Sequence, residues 1–222
     1  VPVISTLGLI SKEFVMVKFF IWLLSIAPLL AVAADMDYGH FNNTVKVEWL
    51  RGSTAERRMR LLEDFSYVDP KGKIWLAPKG SLTDGASIPR ALWTLVGAPF
   101  EGQYREAAVV HDVYCETKSQ PHQDVHRIFY YATRAAGVSE FYSKVLYGGV
   151  VAGGPKWSKG SSNCFAGCHS AITVPSQIET TPNFTEDDAK RLAAWIESKS
   201  PTLEEIDAYV AQNFPPSKSA HQ

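Results

Sequence analysis

The chain has 222 residues, 45% of them hydrophobic and 20% charged, with 22 Lys and Arg against 23 Asp and Glu. That near-neutral balance excludes the basic footprint of a nucleic-acid binder and the polybasic patch of a peripheral membrane anchor. The length and apolar content suit one folded domain with a proper core and an appendage.

Residues 1–34 are read as a signal peptide with an upstream extension. Met16-Val17-Lys18 gives a positive start, Phe19 to Leu30 an apolar middle, and Ala31-Val32-Ala33-Ala34 a small-residue end. The apolar run is shorter than the roughly 20 residues a membrane span needs. Cleavage near Ala33 or Ala34 is therefore expected, leaving a periplasmic or secreted chain with no stable membrane span. No cysteine lies near that point, so a lipoprotein anchor is not expected. The predicted organisation is an α+β domain over 35–157, a linker with a cysteine pair over 158–184, a two-helix tail over 185–214 and a disordered end over 215–222.

Val45 to Leu50 alternates apolar and polar residues with the period of a strand. Met59 to Val68 is a looser strand candidate. Asp69-Pro70-Lys71-Gly72 is a turn signal before Lys73-Ile74-Trp75-Leu76-Ala77, so a hairpin or small antiparallel sheet is predicted. From Ser87 the pattern becomes helical. Pro89 suits the first turn of a short helix reaching Val96. Tyr104, Ala107, Ala108, His111 and Cys115 share one face of a helix near 103–117. Pro121 opens the next, in which His122, Val125, His126, Phe129, Ala132 and Ala136 share a face. Gly137 ends that helix, and Ser139 caps a third running to about Tyr147. Gly148 to Ser162 reads as a linker or surface loop. In the tail, Thr185 to Asp188 and Thr202 to Glu205 have the spacing of capping boxes.

The chemistry concentrates between Thr83 and Phe129. Ionisable groups on apolar helix faces cost free energy unless they are paired or bound to metal. A short connection makes the two central helices antiparallel. His111 lies about six residues before the turn and His126 about six after it, so each sits roughly 9 Å from the turn and they should face one another. His122 is one turn from His126 on the same face. Asp112 is rotated by about 100° from His111, toward the edge of the cleft. Three uses follow. His111 can be a general base, oriented by a carboxylate or imidazole, with Asp112 and Asp84 holding a cation that polarises a carbonyl. Alternatively, His122 and His126 with His111 or Asp112 can bind zinc. In the third, the histidines only lock the helices together. The candidate catalytic set is thus His111, Asp112 and His126, and the candidate metal set Asp84, Asp112, His122 and His126, with calcium or zinc as the ion.

Thr83-Asp84-Gly85-Ala86-Ser87-Ile88-Pro89, Trp93 and Ala107-Ala108-Val109-Val110-His111-Asp112 resemble the family catalogued as domain of unknown function 1353, which occurs in bacteria and phages. The resemblance covers about Leu61 to Trp157 and implies no activity. A second resemblance is to the helix hairpin of secreted phospholipase A2. It implies His111 as base and Asp112 as calcium ligand. Here Tyr114 falls three residues after His111, Cys115 stands at the fourth, and His126 occupies the place of the orienting aspartate.

Three cysteines are present: Cys115, Cys164 and Cys168. An exported chain is expected to form one disulfide. Either Cys164–Cys168 closes a small loop, or Cys115 ties a helix to the tail. Cys164-Phe165-Ala166-Gly167-Cys168-His169 resembles a haem c attachment site with one extra residue, and no methionine follows it. A disulfide loop is expected there rather than covalent haem. The sequence thus points to an exported α+β protein, with a small antiparallel sheet followed by an antiparallel helix hairpin and further helices. The expected function is that of an envelope-acting hydrolase with a metal-assisted His-Asp site. The alternative is a non-catalytic envelope or phage-derived binding protein with a structural histidine pair. An envelope substrate or protein is the expected partner, and nucleic acid is not.

Overall fold

The computed structural model describes residues 36–50, 58–84, 88–97, 102–157, 178–179 and 184–215. The signal-peptide segment, Gly85 to Ser87, the Cys164–His169 motif and most of the 158–184 linker lie outside them, as do 216–222. The fold is α+β. Strands β1 (His40–Phe41), β4 (Phe65–Val68) and β5 (Ile74–Ala77) form one antiparallel sheet in the order β1-β4-β5. Strands β2 (Val47–Trp49), β3 (Met59–Leu61) and β6 (Leu82–Thr83) form a second, in the order β2-β3-β6.

The Asp69–Gly72 turn forms as its residue types require. The Asp69 carboxylate accepts from the backbone N–H of Lys71 and Lys73 and from the indole N–H of Trp75. Gly72 takes a φ of +80°. The single strand expected over Met59–Val68 is instead two strands in different sheets. Asp64 breaks the run: its side chain accepts from the backbone of Lys79 at 2.7 Å, and its carbonyl accepts from Asn43.

The helices follow. A 3-10 turn at Arg90–Leu92 runs into α1 (Trp93–Val96), and then come α2 (Arg105–Thr117), α3 (His122–Ala135) and α4 (Glu140–Gly153). Helix α2 stops where Lys118 turns left-handed, at φ +52°. Pro121 is the N-cap residue of α3, and Ser139 caps α4 through the backbone N–H of Tyr142. Helix α4 runs to Gly153, six residues past the expected end, into the stretch expected to be a linker. Local composition misleads here because Gly148 and Gly149 are packing residues. A Cβ on Gly149 would lie 2.1 Å from Leu92, and one on Gly148 would lie 3.0 Å from Leu192.

Strand β7 (Lys156–Trp157) pairs with β8 (Ile178–Glu179). The last two helices, α5 (Glu186–Lys199) and α6 (Leu203–Asn213), each begin with a complete capping box, at Thr185 and Thr202. Their Leu192, Ile196, Ile206 and Val210 enter the same core as Phe129, Leu146 and Val150. The core also takes in Tyr67 and Trp75 from the first sheet. Trp75 is buried, whereas Trp49 is 66% exposed.

Candidate functional site

Helix α2 is enclosed on nearly every side along its middle, where Ala107 through Val113 and Cys115 are all buried. His111 and Asp112, 100° apart on that helix, therefore meet different neighbours. His111 faces α3. Its Nε2 lies 2.9 Å from Nδ1 of His126, and the Phe129 ring packs 4.7 Å from its own. The protons can be placed by elimination. His126 Nε2 is 3.2 Å from the carbonyl oxygen of Pro155, which can only accept. His126 therefore carries its proton on Nε2, its Nδ1 is an acceptor, and His111 donates from Nε2. Both rings are neutral at physiological pH. Burial pushes the His111 pKa down to about 3. Burial also holds that of His126 well below its ordinary value, reinforced by His111 and His122.

Cys115, one turn beyond His111, completes the cluster. Its sulfur lies 3.8 and 3.7 Å from the two nitrogens of the His111 ring. One ligand atom each from His111, Cys115 and His126 falls within 4.8 Å of the others, and all three residues are buried. The fit to zinc can be tested. Zinc–nitrogen bonds of about 2.0–2.1 Å and a zinc–sulfur bond of about 2.3 Å, at tetrahedral angles, separate two nitrogens by ~3.3 Å and nitrogen from sulfur by ~3.6 Å. The sulfur-to-Nε2 distance of 3.7 Å is close to that length. The sulfur is nearly equidistant from both His111 nitrogens, however, and so lies over the middle of the ring rather than beside the Nε2 lone pair. The His111 ring or the Cys115 side chain has to turn before one ion reaches both. The nitrogen-to-nitrogen edge of 2.9 Å has to open by about 0.4 Å. Ligation would also move the His111 proton from Nε2 to Nδ1 and release the thiol proton. His126 needs no change, because its Nε2–H is already tied to a carbonyl, the usual outer partner of a ligating histidine.

The other expected site residues are engaged by other partners. Asp112 accepts from the Thr83 hydroxyl at 2.7 Å and from the backbone N–H of Asp84 at 3.3 Å, joining α2 to β6. Among the described residues, neither Asp112 nor Asp84 belongs to a cluster of three potential metal ligands. His122 lies beside His126, with ring centroids 5.8 Å apart, but donates from Nδ1 to the Trp157 carbonyl at 2.6 Å. On the sequence alone Cys115 falls on the His111 face, either as the leftover thiol beside a Cys164–Cys168 loop or as a disulfide partner of one of them. The signal for a ligand was the i,i+4 spacing of His111 and Cys115.

A cavity of about 370 Å³ borders the cluster on the side of α6; His122, His126, Arg127, Tyr147, Lys156 and Phe214 are among its walls. At one end the Arg127 guanidinium donates to Glu204 at 2.5 Å and to Asp207 at 2.8 Å. Tyr147 donates to the other oxygen of Asp207 at 2.5 Å. Burial, then that hydrogen bond and the Asp207 charge, raise the Tyr147 pKa far above the usual phenol range, so the hydroxyl stays protonated. Arg127 and Tyr147 gave no sequence signal, because their partners lie sixty or more positions away in the chain.

An α+β fold with a buried imidazole pair and thiol on its central helix hairpin is thus the frame of the chain. Residues 59–150 match the family described as protein of unknown function (DUF1353). The match contains His111, Cys115, His122 and His126 and ends before β7. The uncharacterized protein y4jT of Sinorhizobium fredii is 49% identical over 98 residues, which are 44% of this chain and 29% of y4jT. The uncharacterized protein y4iH of the same organism is 43% identical over 97 residues, 44% of this chain and 41% of y4iH. The chain thus spans less than half the length of either curated relative. No solved structure matches. Among the described residues no helix is long and apolar enough to cross a membrane.

Proposed function

We propose that this chain is an exported zinc protein of the cell envelope, with His111, Cys115 and His126 as ligands, and that its reaction class is hydrolysis. The observation that carries the reading is the mutual approach of two neutral imidazoles and a thiol in a buried site. Two nitrogens and a sulfur suit zinc, whereas calcium takes six to eight oxygens. Three protein ligands leave one coordination position for water, the pattern of catalytic rather than structural zinc. The neighbouring cavity, shared through His126, is of a size to admit a small acyl or phosphoryl substrate.

The test is the metal content of the purified full chain after zinc loading and desalting. About one zinc per chain is expected for the wild type, and at least a tenfold fall for Cys115→Ser, a nearly isosteric change. A wild type holding less than a tenth of an equivalent overturns the zinc reading. One observation favours a second reading. The two imidazoles already satisfy each other at 2.9 Å without an ion. In that reading they lock the hairpin of a non-catalytic binding protein. A wild type without zinc, destabilised by His126→Ala, would select it.

A further inference from the structure

We infer that His122 is a positioning residue for the metal centre. It holds the strand entered at Pro155 against α3, so that the Pro155 carbonyl fixes the His126 proton on Nε2 and leaves Nδ1 for the ion. The inference rests on the zinc reading and adds a fourth residue to it, one that does not touch the metal.

The geometry is a two-point clamp. His122 and His126 are one helical turn apart, a rise of about 6 Å. Pro155 and Trp157 are two residues apart where the chain enters β7, an advance of about 6.6–6.8 Å with both carbonyls on one side. The two spacings match. His122 donates from Nδ1 to the Trp157 carbonyl at 2.6 Å, and His126 donates from Nε2 to the Pro155 carbonyl at 3.2 Å. The Trp157 indole adds a third tie, donating from Nε1 to the Gln120 carbonyl at 2.8 Å, and its ring packs edge-on to both imidazoles. The strand therefore cannot slip by a residue without losing all three bonds.

Of the two histidine bonds, the one from His122 is the shorter. Pro155 has no N–H of its own to bond, so nothing in its backbone but the carbonyl can hold it to α3. Without His122 the strand keeps only the Trp157 indole bond and the longer His126 bond to hold it to α3. The partner that sets the tautomer and orientation of the His126 ring is then less firmly placed. Partners of this outer kind are worth 10- to 100-fold in metal affinity.

The experiment uses the full chain and measures zinc affinity by competition with a chromogenic chelator, with thermal melting alongside. His122→Ala is expected to weaken zinc binding 10- to 100-fold. His122→Asn, whose side-chain N–H can take the place of Nδ1, is expected to restore it to within threefold of wild type. A merely structural His122 would lower the melting temperature of His122→Ala and leave the zinc affinity of the folded protein unchanged in both variants. An affinity for His122→Ala within threefold of a zinc-binding wild type overturns the inference. A wild type that binds no zinc overturns the parent reading instead. Should His122→Ala fail to fold, Trp157→Phe removes the indole N–H with part of the buried ring and leaves the backbone carbonyl in place. A three- to tenfold loss of affinity is then expected, and no loss refutes the clamp.

Discussion

Acidification from pH 7 to pH 4.5, in the presence of a chelator, should strip this protein of much of its stability. His111 titrates at about 3 in the folded chain because it is buried, against roughly 6.5 when unfolded. Below pH 6.5 the unfolded state therefore binds more protons than the folded state. Stability is complete above pH 6.5 and falls at about 1.4 kcal/mol per pH unit until the folded pKa is reached. Two units below 6.5, His111 alone accounts for about 3 kcal/mol, a large share of the 5–15 kcal/mol typical of a domain. His126 shifts in the same direction and adds to the loss. Asp69, Glu140 and Asp188 have lowered values, so the stability they contribute begins to be lost only near the ordinary carboxylate range, at the acid edge of this window. The drop between pH 7 and pH 5.5 belongs to the histidines. Urea unfolding at pH 7, 5.5 and 4.5, followed by tryptophan fluorescence, measures the slope. The paired change His111→Leu with His126→Leu removes both partners together, which is far cheaper than removing one, and should flatten the curve. A wild type losing less than 1 kcal/mol over this range, or a double variant keeping the full slope, would refute the picture of two neutral buried imidazoles.

Thr83→Val removes the hydroxyl that donates to Asp112 at 2.7 Å; urea unfolding should show a loss of about 1.5–3 kcal/mol, and zinc content should not change. Gly149→Ala forces a methyl to 2.1 Å from Leu92, and overpacking should cost about 1–3 kcal/mol, read as a lower melting temperature. Thr202→Ala removes the side chain that caps α6 through the Glu205 N–H; it should cost about 1 kcal/mol in the same assay.

The helix hairpin was legible because its determinants are local. Pro121, the short connection and the 3.6-residue period place His111 opposite His126, and their nitrogens meet at 2.9 Å. The capping boxes at Thr185 and Thr202 were legible for the same reason. What could not be read depends on where distant chain returns. Asp112 was expected at the edge of the histidine cleft, and β6 arrives on that side, where the Thr83 hydroxyl donates to it. His122 looked like a ligand of His126's ion, yet Trp157, thirty-five residues on, claims its proton. Gly148 and Gly149 have the composition of a loop and act as contact surfaces for Leu192 and Leu92. Leu62 to Asp64 hid a break because the carboxylate that makes it bonds Lys79, on the far side of a hairpin. Cys115 was visible on the right face, but its partner was not: the choice between a spare thiol and a disulfide stayed open until the fold set its sulfur 3.7 Å from an imidazole nitrogen.

The claim that His111, Cys115 and His126 form one metal centre is tested most directly by the electronic spectrum of the cobalt-substituted chain. A thiolate-to-cobalt charge-transfer band in the near ultraviolet, with intense visible bands of tetrahedral cobalt, is the predicted result, and Cys115→Ser should abolish the first. A spectrum of octahedral cobalt with oxygen ligands alone, unchanged by Cys115→Ser, would contradict it.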